Sequence, residues 1–129
     1  MMYKFLEHVS DLIIQGENDS FEKALEDVAQ GMTTQMGGKE AEEKETLEVE
    51  VKDENKEDLV VAALTAVISE CEAEVFTPKK IGIEKIEGGV KIRISGERKA
   101  HENIIKAVTY HGLKIEQNEK WKITVLFDI

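Results

Sequence analysis

The 129-residue sequence contains no run of about 18 apolar residues, the minimum for a helix that crosses a membrane. Its first residues, Met1 to His8, also lack the apolar stretch of a signal peptide. These two absences predict a cytoplasmic protein without membrane contact. The length corresponds to one domain, and a chain of this size buries roughly two-thirds of the surface that it exposes when unfolded.

The sequence has a single cysteine, Cys71, so neither an internal disulfide nor a site built from several thiolates can form. Cys71 stands among apolar residues at helical spacing, between Glu70 and Glu72. A reactive cysteine needs an electropositive and accessible setting, which these neighbours do not provide. We therefore expect Cys71 to be a buried structural thiol.

Motifs of several enzyme classes are missing as well. The Gly88–Gly89 pair joins two strand-like segments, whereas a phosphate-binding loop joins a strand to a helix. His8, Ser10 and Asp11 lie in one extended segment, where alternating faces prevent a nucleophile–base relay. The three histidines are not spaced as metal ligands on a helix, which disfavours zinc. The sequence therefore does not indicate a free-standing enzyme.

The formal net charge of -10 arises from 27 acidic and 17 basic residues. A surface this acidic repels nucleic-acid phosphates over a Debye length of about 8 Å at physiological salt. Direct nucleic-acid binding is therefore not expected. The charge suits a basic protein partner or cations, and an equally simple interpretation is that it only keeps the protein in solution.

Apolar residues at helical spacing predict two helices. The first begins after Asp19 or Ser20 as N-cap and ends at Gly37–Gly38. Its apolar face consists of Phe21, Ala24, Leu25, Val28, Met32 and Met36. The second begins at Asn55 and ends near Val75 or Phe76, because Pro78, the only proline, cannot continue a helix. Each helix has an apolar side broad enough to cover a sheet.

Alternation of apolar and polar residues predicts about six strands. The strand-like segments are residues 3–16, 46–52, 81–86, 90–94, 104–116 and 121–127. The third and fourth form a hairpin, because Gly88–Gly89 lies between them. Two helices packed on a mixed or antiparallel sheet of about six strands give a two-layer α+β fold, with residues 1–129 as one domain.

The chain ends in an apolar, strand-like run that carries Asp128 and then the terminal carboxylate of Ile129. Two adjacent anions repel each other unless a cation or hydrogen-bond donors lie between them. Asp11, near the start of the first strand, is a further oxygen donor, and such donors suit calcium, magnesium or manganese. From the residues alone nothing requires Asp11 and Asp128 to meet, and scattered surface carboxylates are the simpler interpretation.

Two parts of the sequence resemble the archease family. The segment Glu7-His8-Val9-Ser10-Asp11 resembles the opening Asp-His-Thr-Ala-Asp motif of that family, with matches at the histidine and the last aspartate. Residues 105–111, followed by Trp121 and residues 125–129, are similar to the C-terminal block of the family. The likeness covers essentially the whole chain in order and identifies the chain as an archease-like single domain.

The resemblance implies a non-catalytic activator of an RtcB-type tRNA-splicing ligase, an enzyme that joins RNA ends through a guanylylated histidine. The activator is expected to promote guanylylation and turnover of the ligase. The resemblance implies a divalent-metal site on Asp11, Asp128 and the Ile129 carboxylate, with calcium as the first expectation and magnesium or manganese as alternatives. It assigns ligase activation to Lys106 and a partner contact to His8. A chaperone or general modulator of nucleic-acid-processing enzymes is the alternative, and a homo-oligomer is left open.

Overall fold

The computed structural model describes residues 3–6, 11–100 and 103–129. The elements are β1 (Tyr3–Leu6), β2 (Asp11–Asn18), α1 (Phe21–Thr34), β3 (Glu45–Lys52), α2 (Lys56–Ala73), β4 (Thr77–Ile86), β5 (Gly89–Glu97), β6 (Ala107–Gln117) and β7 (Trp121–Asp128). The predicted α+β class, with two helices and antiparallel strands, is confirmed. No helix within these residues is both long and apolar enough to cross a membrane.

The strands form two separate antiparallel sheets. One sheet has the order β1-β2-β7-β6 and the other has the order β3-β5-β4. The expected strand over residues 3–16 corresponds to β1 and β2, which brings the number of strands in the described part of the chain to seven. Helix α1 packs on β1, β2 and β7 and along β4, while α2 packs on β6, β3 and β5. The core therefore lies between the helices and the inner faces of both sheets.

Both helices begin at the predicted N-caps. The Ser20 hydroxyl accepts a hydrogen bond from the Lys23 amide at 3.1 Å, and the Asn55 side-chain oxygen accepts one from the Asp58 amide at 2.9 Å. Each bond satisfies one of the amides that a helix leaves unpaired in its first turn. Helix α1 ends at Thr34, slightly earlier than the predicted glycine pair.

Helix α2 ends in a Schellman motif without glycine. The Phe76 amide donates to the Cys71 carbonyl at 2.9 Å, and the Val75 amide donates to the Glu72 carbonyl at 3.4 Å. This geometry requires a left-handed residue, and Val75 supplies it with φ 49°. Cys71 is fully buried beside this turn. Burial raises the pKa of its thiol to about 12, and Glu70 adds to the shift.

Helix α1 closes the outer edge of β4 with its side chains. The Gln30 side chain accepts a hydrogen bond from the Ile81 amide at 2.9 Å and donates one to the Lys79 carbonyl at 2.8 Å. The Glu26 carboxylate accepts a hydrogen bond from the Ile83 amide at 2.8 Å. These are backbone groups that an edge strand would otherwise offer to another chain, so this edge is occupied from within.

Candidate metal centre

Asp11 and Asp128 face each other directly across the β2–β7 ladder. The alternation of side chains along the two strands places them on the opposite face from Leu12 and Phe127, which pack in the core. Directly opposed residues of an antiparallel pair have Cβ atoms about 4.5–5.5 Å apart. The two predicted carboxylates are therefore neighbours at one end of the four-stranded sheet.

The other three rungs on this outer face pair compatible groups. They are Ile13 with Leu126, Gln15 with Thr124 and Glu17 with Lys122. The Gln15 amide donates to the Thr124 hydroxyl at 2.9 Å. The Lys122 ammonium lies 3.8 Å from the Glu17 carboxylate. Of these four rungs, the one formed by Asp11 and Asp128 alone places like charges opposite each other, which destabilises a sheet.

The start of β6 brings Lys106 to the same end of the sheet. The Lys106 backbone amide donates to the Asp128 carbonyl oxygen at 2.7 Å, and Ala107 is in register with Asp128. Ile105, which is 4% exposed, anchors this segment in the core. The side chain of Lys106 is exposed. The backbones of three predicted site residues from distant parts of the sequence thus lie at one end of the sheet.

The remaining predicted residues flank this place in the sequence. Ile129 follows Asp128, and its side chain is 40% exposed. His8 and Glu7 lie outside the residues that the structure describes, so the partner contact assigned to His8 stays a prediction.

The donor chemistry fits a hard cation. Two aspartates and a terminal carboxylate supply only oxygen ligands, the type that calcium, magnesium and manganese prefer. Within residues 3–6, 11–100 and 103–129, no three His, Cys, Asp or Glu side chains lie close enough together to hold a metal ion. The predicted third ligand, the Ile129 carboxylate, follows Asp128 in the sequence. Calcium takes about 6–8 oxygens, so water or carbonyl groups must complete its shell.

One feature of β6 was missed at the level of sequence. Residues 110–113 of β6 form a bulge opposite Val125 of β7, and Gly112 adopts φ 71° within it. The bulge presents Tyr110, whose hydroxyl donates to the Asp58 carboxylate at 2.7 Å. This hydrogen bond raises the pKa of Tyr110. The only sequence signal was the glycine that interrupts the strand pattern.

Comparison with known proteins gives a consistent result. The model of the archease protein family matches residues 3–129. The archease of Thermococcus kodakarensis is 34% identical, and the match covers 89% of this chain and 88% of the relative. The archease of Pyrococcus abyssi is 33% identical, and the match covers 98% of both chains.

Two solved structures are similar to this fold. The crystal structure of a Thermotoga maritima protein, described as an archease and possible chaperone, has a TM-score of 0.73 at 27% identity, with coverage of 100% of this chain and 98% of that one. The solution structure of a Methanobacterium thermoautotrophicum protein has a TM-score of 0.76 and covers 98% of both chains. Its identity of 22% supports likeness of fold alone.

Proposed function

The chain belongs to the archease family, and on this basis we propose that it is a non-catalytic activator of an RtcB-type tRNA-splicing ligase. The proposed role is to promote guanylylation of the ligase and to restore its turnover in the cytoplasm. The protein acts on the ligase and not on RNA, because its net charge of -10 repels phosphate backbones.

The observation that supports this proposal is the opposed pair of Asp11 and Asp128 with Lys106 beside it. Two carboxylates and an exposed lysine at one end of the sheet offer groups of both charges to a partner, which favours a binding role over a structural one. The alternation of the strands also directs the two aspartates away from the core, where a partner can reach them.

In the proposed mechanism, Asp11, Asp128 and the Ile129 carboxylate hold a divalent cation, with calcium as the first candidate and magnesium or manganese as alternatives. A bound cation of this class supplies a Lewis-acid centre for phosphate oxygens. Lys106 keeps its positive charge available for a nucleotide phosphate or a carboxylate of the partner. His8 adds a contact to the ligase.

The proposal is tested by the rate of histidine guanylylation in a purified ligase supplied with GTP and manganese. Addition of the protein should raise this rate, and Asp11→Asn, Asp128→Asn and Lys106→Ala should each remove most of the gain. Glu17→Gln and Lys122→Ala are matched controls, because they lie at the other end of the same two strands. Equal activation by all five variants would exclude the proposed site.

A chaperone is the second candidate, because the similar Thermotoga maritima structure is described as a possible chaperone. Deletion of Ile129 separates the two functions. The deletion moves the terminal carboxylate by about 3.5 Å, more than metal coordination tolerates. If the protein is an activator, the deletion variant should no longer raise the rate of guanylylation. If it is a chaperone, the variant should still suppress aggregation of a heated ligase as well as the parent does.

A further inference from the structure

The three-stranded sheet has one closed edge and one open edge. The closed edge is β4, whose outward amides at Ile81 and Ile83 are bonded by side chains of α1. The other edge is β3, which among the described residues pairs only with β5. We propose that β3 docks an extended segment of a partner protein in which basic residues alternate with apolar ones. This proposal does not depend on ligase activation.

The hydrogen-bond pattern shows which groups of β3 are available. The Asp53 amide donates to the Gly88 carbonyl at 3.0 Å, in line with the register of the β3–β5 ladder. Bonded and non-bonded pairs alternate in an antiparallel ladder, so the odd-numbered residues of β3 bond to β5. The even-numbered residues direct their amides and carbonyls outward. They are Thr46, Glu48, Glu50 and Lys52, all of which are exposed.

Apart from its charged side chains, Glu45, Glu48, Glu50 and Lys52, strand β3 lacks the features that usually protect an edge. It keeps unbroken register with β5 over eight residues and contains neither a proline nor a bulge. Its inward side chains, Leu47, Val49 and Val51, are only half-buried although they pack on the core. An added strand would therefore gain main-chain hydrogen bonds and would also cover apolar surface that is now partly exposed.

The charges along β3 favour a basic segment. Glu48 already contacts Lys91 and Arg93, each at 3.4 Å. Glu50 is exposed and lies directly opposite Lys91, whose ammonium pairs with Glu48. A basic side chain on the added strand, placed beside Glu50, would compensate this charge.

The same charges disfavour a second copy as the occupant. When two β3 strands pair antiparallel about Val49, with their apolar residues on one face, Glu48 of one copy faces Glu50 of the other. Like charges directly opposite each other destabilise such a pair. In this long register the open edge therefore suits a basic partner strand better than a second copy.

The test uses a capped heptapeptide in which valine alternates with lysine and arginine. At saturating peptide, amide hydrogen exchange measured by NMR should slow about tenfold at Glu48 and Glu50. The Val49 amide already faces β5 and should change little. A matched peptide with glutamate in place of lysine and arginine should not bind. Protection elsewhere on the protein, or none at these amides, would overturn the proposal.

Two variants separate the backbone and charge contributions. Glu50→Pro removes an outward amide, and proline is tolerated on an edge strand where that amide faces solvent, so the peptide should no longer bind. Glu50→Lys keeps the amide and should weaken binding by charge reversal. Glu87→Lys, in the β4–β5 turn, is the control for net charge. Full affinity of Glu50→Lys for the peptide would refute the proposed occupant, even if Glu50→Pro fails to fold. A parent protein that sediments as a dimer, together with unchanged peptide affinity in Glu50→Lys, would refute it as well.

Discussion

Asp11 of β2 stands directly opposite Asp128 of β7, at the end of the ladder that joins these two strands. Without a cation, Asp128→Asn should therefore raise the free energy of unfolding by about 0.5 kcal/mol, because it removes a like-charge contact. With calcium at about 100 times its dissociation constant, the parent should gain about 2.7 kcal/mol and the variant far less.

Urea unfolding with chelator and with calcium measures both effects. Glu17→Gln is the control at the opposite end of the strands, because it removes an ion pair and should lower stability slightly in both conditions. A parent protein that calcium does not stabilise would contradict the predicted metal site.

Val75 is predicted to be a poor residue for its position. It is β-branched, has φ 49° and is 56% exposed, so it has a left-handed conformation without burial to offset the strain. Val75→Gly should raise the free energy of unfolding by about 1 kcal/mol. Val75→Ala keeps a Cβ atom and should gain less. Thermal and urea unfolding check this order, and a loss of stability in the glycine variant would show that Val75 makes a compensating contact.

Gln30 is predicted to be essential for the closed edge of β4. Gln30→Leu leaves the Ile81 amide and the Lys79 carbonyl without their partner and should cost about 2 kcal/mol. The Ile81 amide should then exchange faster with solvent. Gln35→Leu is the control, since among the described residues the Gln35 side chain donates one hydrogen bond, to the Thr34 hydroxyl at 3.3 Å. Equal stability of the two variants would mean that water replaces the hydrogen bonds that Gln30 makes to β4.

Glu97 is predicted to make stability depend on pH in the acid range. A hydrogen bond from Lys99 lowers the pKa of Glu97, and Lys44 on its other side acts in the same direction. A lowered pKa gives stability that is present above the unfolded-state value of about 4.3 and is lost as pH falls through the folded-state value. Glu97→Gln should thus be less stable than the parent at neutral pH, and the difference should vanish in acid.

Urea midpoints measured from neutral pH down to about pH 3 test this dependence. Glu43→Gln serves as the control, because Glu43 is exposed on the nearby connection before β3. A difference between Glu97→Gln and the parent that persists unchanged in acid would show that packing, and not charge, accounts for the effect.

Cys71 is predicted to be unreactive in the folded protein. Its thiol is fully buried, and burial raises its pKa to about 12, so almost no thiolate exists at pH 8. A disulfide-exchange reagent should therefore label the native protein only as fast as the chain opens. Unfolded protein should react at once. Fast labelling of the native protein, at a rate that added urea does not increase, would contradict the burial of Cys71.

Local features were predictable from the sequence, whereas pairings between distant segments were not. Ser20 and Asn55 cap their helices through hydrogen bonds from amides three residues away, so the local sequence pattern was sufficient to predict both helix starts. The opposition of Asp11 and Asp128 depends on register between strands at the two ends of the chain, which alternation does not determine. Family resemblance grouped these residues, and the ladder shows them adjacent.

Two further features depended on tertiary structure. The end of α2 near Val75 was predicted, but the left-handed conformation of Val75 was not, because no glycine marks it and it is held by the turn and by the packing of Phe76. The division of the strands into two sheets was also not predictable, since alternation defines the faces of a strand but not its neighbours. The bulge at residues 110–113 follows the same rule, because it exists only relative to β7.

The position of β7 has a consequence for how the protein forms. Strand β7 is the last element in sequence, yet it lies between β2 and β6 in its sheet. A ribosome that has completed β6 has therefore made the other strands of the described chain. It has not yet made β7, which joins β2 and β6 in the sheet. Contacts between Asp11 and Asp128 span nearly the whole chain, and such non-local pairing slows folding. The carboxylate pair accordingly cannot form before β7 has been made.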